Sequence, residues 1–139
     1  MAKQRKVAVL TNLEVAVMKV VWEAGGEPLT VREVVERLNQ VRGRSLAYNT
    51  VQTILTILKD KGVVRSRPGP GRAFEFTARL SRDEVSTTMV DDLVARLFDG
   101  QAHPLLLKLV EHESLRREDL EALRRLIDKE LHDERSVDR

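Results

Sequence analysis

The sequence predicts a mainly α protein carrying one small β-hairpin, and three observations predict it. Apolar residues recur at helical spacing in one stretch after another. Ser/Thr-x-x-Glu signatures recur just before such stretches, where hydroxyl and carboxylate can satisfy each other's unbonded backbone donors at a helix start. A Pro-Gly run separates two short segments rich in β-branched or aromatic residues, which is hairpin chemistry.

Thr11-Asn12-Leu13-Glu14 is the first such signature, with Leu10 and Val15 as its hydrophobic staple. A helix therefore begins at residue 12. Leu13, Ala16, Val17, Val20, Val21 and Ala24 keep its period, and Gly25-Gly26 stops it. Thr30-Val31-Arg32-Glu33 opens a second helix, stapled by Leu29 and Val34, buried along Val31, Val34, Val35 and Leu38, and running to about residue 41. A third helix follows Gly43; its cap position, Ala47, has no side-chain oxygen to offer, and Gly62 ends it after Lys61. VVRSR at 63–67 and RAFEFTA at 72–78 then flank PGPG as the hairpin.

Helix, short extended segment, helix, helix, hairpin is the order of a winged helix, a helix-turn-helix variant whose third helix enters DNA, and residues 1–80 hold it. Residues 81–139 read as three more helices. Ser81-Arg82-Asp83-Glu84, stapled by Leu80 and Val85, opens a long one through Met89, Val90, Leu93 and Leu97 to Phe98, closed by Asp99-Gly100. Pro104 suits the first turn of a short helix over Leu105 to Val110, and Leu120, Leu123, Ile127 and Leu131 stripe the last. So few residues make a thin core, and a second copy of the chain is the economical cover. Leu93, Leu97, Leu106, Leu120, Leu123, Ile127 and Leu131 are the expected homodimer interface.

The third helix, LAYNTVQTILTILKDKG at 46–62, is the most informative stretch. Val51, Ile54, Leu55 and Leu58 form a core stripe, and Asn49, Gln52, Thr53, Thr56, Lys59 and Asp60 project from the other side. Asn and Gln can bond adenine through two hydrogen bonds, and Thr offers a hydroxyl together with a methyl for thymine. An ordinary solvent-facing helix would show similar residues, so charge distribution weighs in. Overall charge is only +2, yet residues 1–80 hold 14 Lys and Arg against 7 Asp and Glu, whereas residues 81–139 hold 10 against 15. A basic half joined to an acidic half suits a nucleic-acid-binding unit joined to one with another task. Asn49, Gln52, Thr53 and Thr56 are the expected base readers; Tyr48 and Lys59, with Arg65, Arg67 and Arg72 around the hairpin tip, are expected at phosphates.

Enzyme chemistry finds little support. The chain has no cysteine, which excludes disulfides, thiolate catalysis and Cys-based zinc sites. GxSxG, HExxH and a P-loop are absent, and Gly69-Pro70-Gly71 lacks the third glycine of a phosphate loop because Phe74 stands there. His103, His112 and His132 have no i, i+4 pairing, so neither metal nor cofactor is expected. Glu14 and Lys19 interrupt the apolar stretch after MAKQRK, so neither a signal peptide nor a membrane span is expected, and the compartment is read as cytoplasmic.

Three segments in order carry a family resemblance: LTNLEVAVMKVVW at 10–22, YNTVQTILTILKDKGVV at 48–64 and LLLKLVEHESLRREDLEALRRLI at 105–127. Together they resemble the penicillinase repressors, winged-helix repressors of β-lactamase and methicillin-resistance operons. The resemblance implies an N-terminal DNA-binding domain, a helical C-terminal dimerisation domain over 81–139, a homodimer on a palindromic operator, and repression of an antibiotic-response type of operon. It puts the base-facing positions on Asn49, Thr50, Gln52 and Thr53. Two departures from the pattern stand out. Ile57 replaces the Arg that some members carry on the reading helix, so their operator does not carry over. In the resistance-operon repressors a membrane sensor protease severs an Asn-Phe bond, and the corresponding pair here is Lys108-Leu109, which lacks both the amide and the ring. A regulatory protease is an implied partner, though one tuned to Asn-Phe is expected to cut this pair poorly. Copper-responsive relatives use C-terminal cysteine pairs, which this chain lacks. Two rival readings are a non-specific architectural DNA-binding protein and a ligand-responsive winged helix, for which no convergent polar cluster is visible.

Overall fold

The computed structural model describes residues 9–42, 46–112 and 115–137. Its elements run α1 (Asn12–Glu23), β1 (Leu29–Thr30), α2 (Val31–Arg42), α3 (Tyr48–Asp60), β2 (Val64–Pro68), β3 (Phe74–Ala78), α4 (Arg82–Leu97), α5 (Ala102–His112) and α6 (Arg117–Val137). The helix starts follow local chemistry. At α1 the Thr11 N–H donates to Glu14 Oε1 at 2.9 Å while the Thr11 hydroxyl accepts from the Glu14 N–H. Thr30 and Glu33 repeat this reciprocal pairing at α2, and Ser81 and Glu84 repeat it at α4.

The start of α3 is different. Ala47 makes no side-chain cap, and the entry is held from α2 instead. Asn39 Oδ1 accepts from the Leu46 N–H at 2.8 Å, and Asn39 Nδ2 donates to the Leu46 carbonyl at 3.3 Å. One amide side chain thus fixes the peptide that leads into the helix. At the other end Gly62 takes φ 79°, a left-handed conformation that glycine adopts without a Cβ clash, and the Val63 N–H turns back to the Leu58 carbonyl at 2.9 Å.

Burial follows the expected stripes. Val17, Met18, Val34, Leu38, Val51, Leu55 and Leu58 seal the junction of α1, α2 and α3, with Leu29, Val64 and Phe76 from the sheet and Val63 just before β2. Each such side chain contributes about 1.5–3 kcal/mol relative to exposure. Leu13, expected in the α1 stripe, is instead 37% exposed, and its neighbour Glu14 is the buried residue at 5%. The Trp22 indole packs against this core and donates to the Leu80 carbonyl at 2.9 Å, tying α1 to the chain that leaves the hairpin.

The sheet has three antiparallel strands in the order β1-β3-β2. The short extended segment before α2 is therefore a strand beside the hairpin, with Leu29 opposite Phe76 and Thr30 opposite Glu75. Two residues are too few to show the alternation that marks a strand. In the hairpin Val64 faces Ala78, Ser66 faces Phe76 and Pro68 faces Phe74.

Contacts group the chain into one unit ending at Leu93 and a second beginning at Val94, a division inside α4. The first turns of α4 belong with the winged-helix core, since Val85 is buried and Met89 packs against it. Farther along the same helix Val90, Leu93 and Leu97 are exposed. In the second unit α5 has no buried residue, and Leu106, Leu109, Leu120, Ile127 and Leu131 are all exposed, with Leu123 half-buried. Among the described residues, no helix is long and apolar enough to cross a membrane.

Candidate nucleic-acid interface

The four apolar residues of the α3 stripe are buried, which turns Asn49, Thr50, Gln52, Thr53, Thr56, Lys59 and Asp60 outward. At 100° per residue this exposed surface divides further. Tyr48, Gln52 and Lys59 lie along the edge nearest the sheet, where with Thr56 and Asp60 they line a concavity of about 650 Å³ that also takes in Arg72 and Phe74. Asn49 and Thr53 sit near the middle of the face, and Thr50 and Ile57 lie on its far edge.

Hydrogen bonding already engages one candidate. The Thr56 hydroxyl donates to the Gln52 carbonyl at 3.0 Å, so its oxygen is left to accept. An accepting hydroxyl suits the exocyclic amino group of adenine or cytosine. Gln52 retains both amide donors and its acceptor among the hydrogen bonds of the described residues, and that is the set a two-point contact to adenine needs.

Hairpin arginines do not act as one group. Side chains alternate across a strand, so Ser66, Phe74 and Phe76 share the face that carries buried Val64, and three of these line the concavity. Arg65, Arg67, Glu75 and Thr77 belong to the opposite face. There Arg67 Nε lies 3.5 Å from Glu75 Oε1, directly across the ladder. Arg72 lies in the turn rather than in a strand and reaches the α3 side. The Gly69 N–H closes that turn on the Ala73 carbonyl at 2.8 Å. Of the hairpin cations, Arg72 alone lines the concavity that α3 borders.

A long-range ion pair that the sequence pattern did not reveal ties the end of α3 to α1. Lys61, the residue that caps α3, reaches the start of α1 and donates to Glu14 Oε1 at 2.7 Å and to the Val9 carbonyl at 3.1 Å. Burial pushes the Glu14 carboxyl up, but the hydrogen bonds from Lys61 and the Thr11 backbone, with the Lys61 charge, outweigh it and hold the group below its ordinary value. Glu14 thus stays ionised while it serves two helices.

The second unit carries the other expected sites. Lys108 and Leu109 are exposed but lie inside α5, so a protease would have to unwind the helix to take the bond in extended form. Among the described residues no cluster of His, Cys, Asp or Glu is grouped to hold a metal ion.

Comparison with known proteins agrees over nearly the whole length. The penicillinase repressor family model matches residues 10–129. Transcriptional regulator BlaI of Mycobacterium tuberculosis is 37% identical over 123 residues, 88% of this chain and 85% of that protein. The methicillin resistance regulatory protein MecI of Mammaliicoccus sciuri is 22% identical over 120 residues, 86% of this chain and 94% of that protein. A solution structure of the DNA-binding domain of the repressor BlaI aligns at 26% identity over 57% of this chain and 90% of that one, with a TM-score of 0.47.

Proposed function

The chain belongs to the penicillinase repressor family, and on that premise we propose that this DNA-binding transcriptional repressor acts as a homodimer on a palindromic operator. It is a regulator and not an enzyme. The observation that carries the finer reading is the exposed polar face of α3, bordered by the concavity it shares with Arg72 and Phe74. In this reading α3 enters the major groove. Asn49, Gln52, Thr53 and Thr56 meet base edges, Thr50 flanks them, and Tyr48, Lys59 and Arg72 meet the backbone. Arg65 and Arg67 lie on the outer sheet face and meet phosphate only where the duplex bends around the hairpin.

The exposed leucines of the second unit support dimerisation, with residues 1–80 as the DNA-binding domain, the first turns of α4 packed on it, and the rest of 81–139 joining two copies. A dimer sets two reading helices against half-sites one helical turn of about 34–36 Å apart, or a multiple of it. Similarity to the methicillin resistance regulatory protein MecI makes an antibiotic-response operon the proposed target class, and the cytoplasm is the proposed place of action. Release by proteolysis at Lys108-Leu109 would separate α6 from the reading helix and turn bivalent binding into weak monovalent binding. The proposal is tested by selecting bound fragments from a random duplex pool with the purified full chain. Recovery of a two-fold symmetric motif supports it; a pool that stays random after repeated rounds contradicts it in favour of non-specific architectural binding.

A further inference from the structure

The concavity beside α3 has a third wall that the expected site residues do not include. Thr30, Val31 and Arg32, where β1 passes into α2, line it as well. Thr30 and Glu33 lock one another through hydrogen bonds of 2.8 and 3.2 Å, so the backbone that carries Arg32 is fixed. Arg32, Lys59 and Arg72 therefore reach one hollow from three separate elements, with Asp60 as the single carboxylate in its lining.

None of these three cations forms an ion pair with a described carboxylate, whereas Arg37 pairs with Glu27 at 3.8 Å and Arg67 with Glu75 at 3.5 Å. Like charges gathered around a concave surface repel until an anion enters. Between them stand Tyr48 and Phe74, 48% and 55% exposed, which offer apolar ring surface inside a charged setting. Alternating charge and apolar surface matches an occupant that alternates phosphate with sugar.

We propose that one sugar-phosphate strand of the bound duplex lies in this concavity and that Arg32 is one of its phosphate ligands, together with Arg72. The inference rests on the reading of α3 as the DNA-binding helix and adds a contact from α2 to it. Arg32 is a positioning residue: it sets the depth and register of α3 in the groove without touching a base, so its loss weakens all sequences alike.

The experiment measures binding of the full chain to a labelled random-sequence duplex across a salt series. The unmodified chain gives a straight line of log K against log salt. Arg32→Ala reduces the steepness of that line by about 0.9 for each phosphate that each protomer no longer neutralises, and Arg32→Lys restores it. Arg37→Ala, which removes a paired cation on the same helix outside the concavity, leaves the slope unchanged. Thermal melts of Arg32→Ala and Arg32→Gln match the unmodified chain, since the side chain is exposed. An unchanged slope for Arg32→Ala, or equal losses for Arg32→Ala and Arg37→Ala, overturns the proposal. A parent chain that shows no salt-dependent duplex binding overturns instead the DNA-binding reading on which it rests. Inorganic phosphate added at constant ionic strength displaces little DNA if the site is built for a strand; displacement in step with its concentration marks a simple anion site and overturns the strand assignment.

Discussion

Lys61 and Glu14 stand 47 residues apart in the chain and 2.7 Å apart in the fold, joining the cap of α3 to the first turn of α1. Through this contact α3 is held at its C-terminal end, as Asn39 holds its entry peptide at the other. The pair is asymmetric in exposure: the Glu14 side chain is 7% exposed and the Lys61 side chain 27%. Removing the cation is therefore the more damaging change, because it leaves a buried carboxylate with one fewer donor.

Lys61→Met is expected to lower stability by about 2 kcal/mol, measured by urea unfolding at neutral pH. The folded-state pKa of Glu14 lies below its ordinary 4.5. Its contribution is thus fully present above the unfolded value and is lost as pH falls through the folded one. Acidification from neutral pH to below about 4.5 should cost the unmodified chain stability that Glu14→Gln has already lost. Parallel unfolding curves for the two proteins over that range would show that the pair contributes nothing.

Arg72→Ala is expected to flatten the salt slope of duplex binding by about 0.9 per phosphate left without its cation, with sequence preference kept. Arg67→Ala should change it less, since Arg67 is already engaged by Glu75 on the opposite sheet face. Glu75→Gln frees Arg67 on that outer face and should leave the slope nearly unchanged. Equal effects of Arg67→Ala and Arg72→Ala would mean that the duplex wraps both faces of the hairpin.

Helix starts at Thr11, Thr30 and Ser81 were legible because a capping box is a local motif, complete within four residues. The polar face of α3 was legible because its buried stripe fixes where the other residues point. What escaped was non-local. Asn39 and Lys61 look like ordinary surface residues until folding brings Leu46 and Glu14 to them. Likewise β1 is too short to carry a period, and only the register with β3 makes it a strand. Parity along β2 and β3 could have separated Arg65 and Arg67 from Arg72; nearness to the Pro-Gly turn grouped them instead. Arg32 was hidden inside a capping box, where Thr30 and Glu33 explain the motif without it.

Leu123→Asp is expected to break the homodimer, because an unpaired charge would enter the proposed interface formed by the apolar side of α6. Sedimentation should show a shift to monomer, and operator affinity should fall with α3 untouched. An unmodified chain that sediments as a monomer at micromolar concentration would contradict the dimer and with it the bivalent operator.

If α3 reads bases through the side chains it turns away from Val51, Leu55 and Leu58, Gln52 is the residue whose loss shows it most sharply. Affinities of the unmodified chain and of Gln52→Ala should be measured at one fixed salt concentration, on a selected operator and on a random duplex. Base reading by Gln52 predicts a loss of about 1–3 kcal/mol on the operator and almost none on the random duplex. An equal loss on both would make Gln52 a backbone contact and contradict base reading by this face.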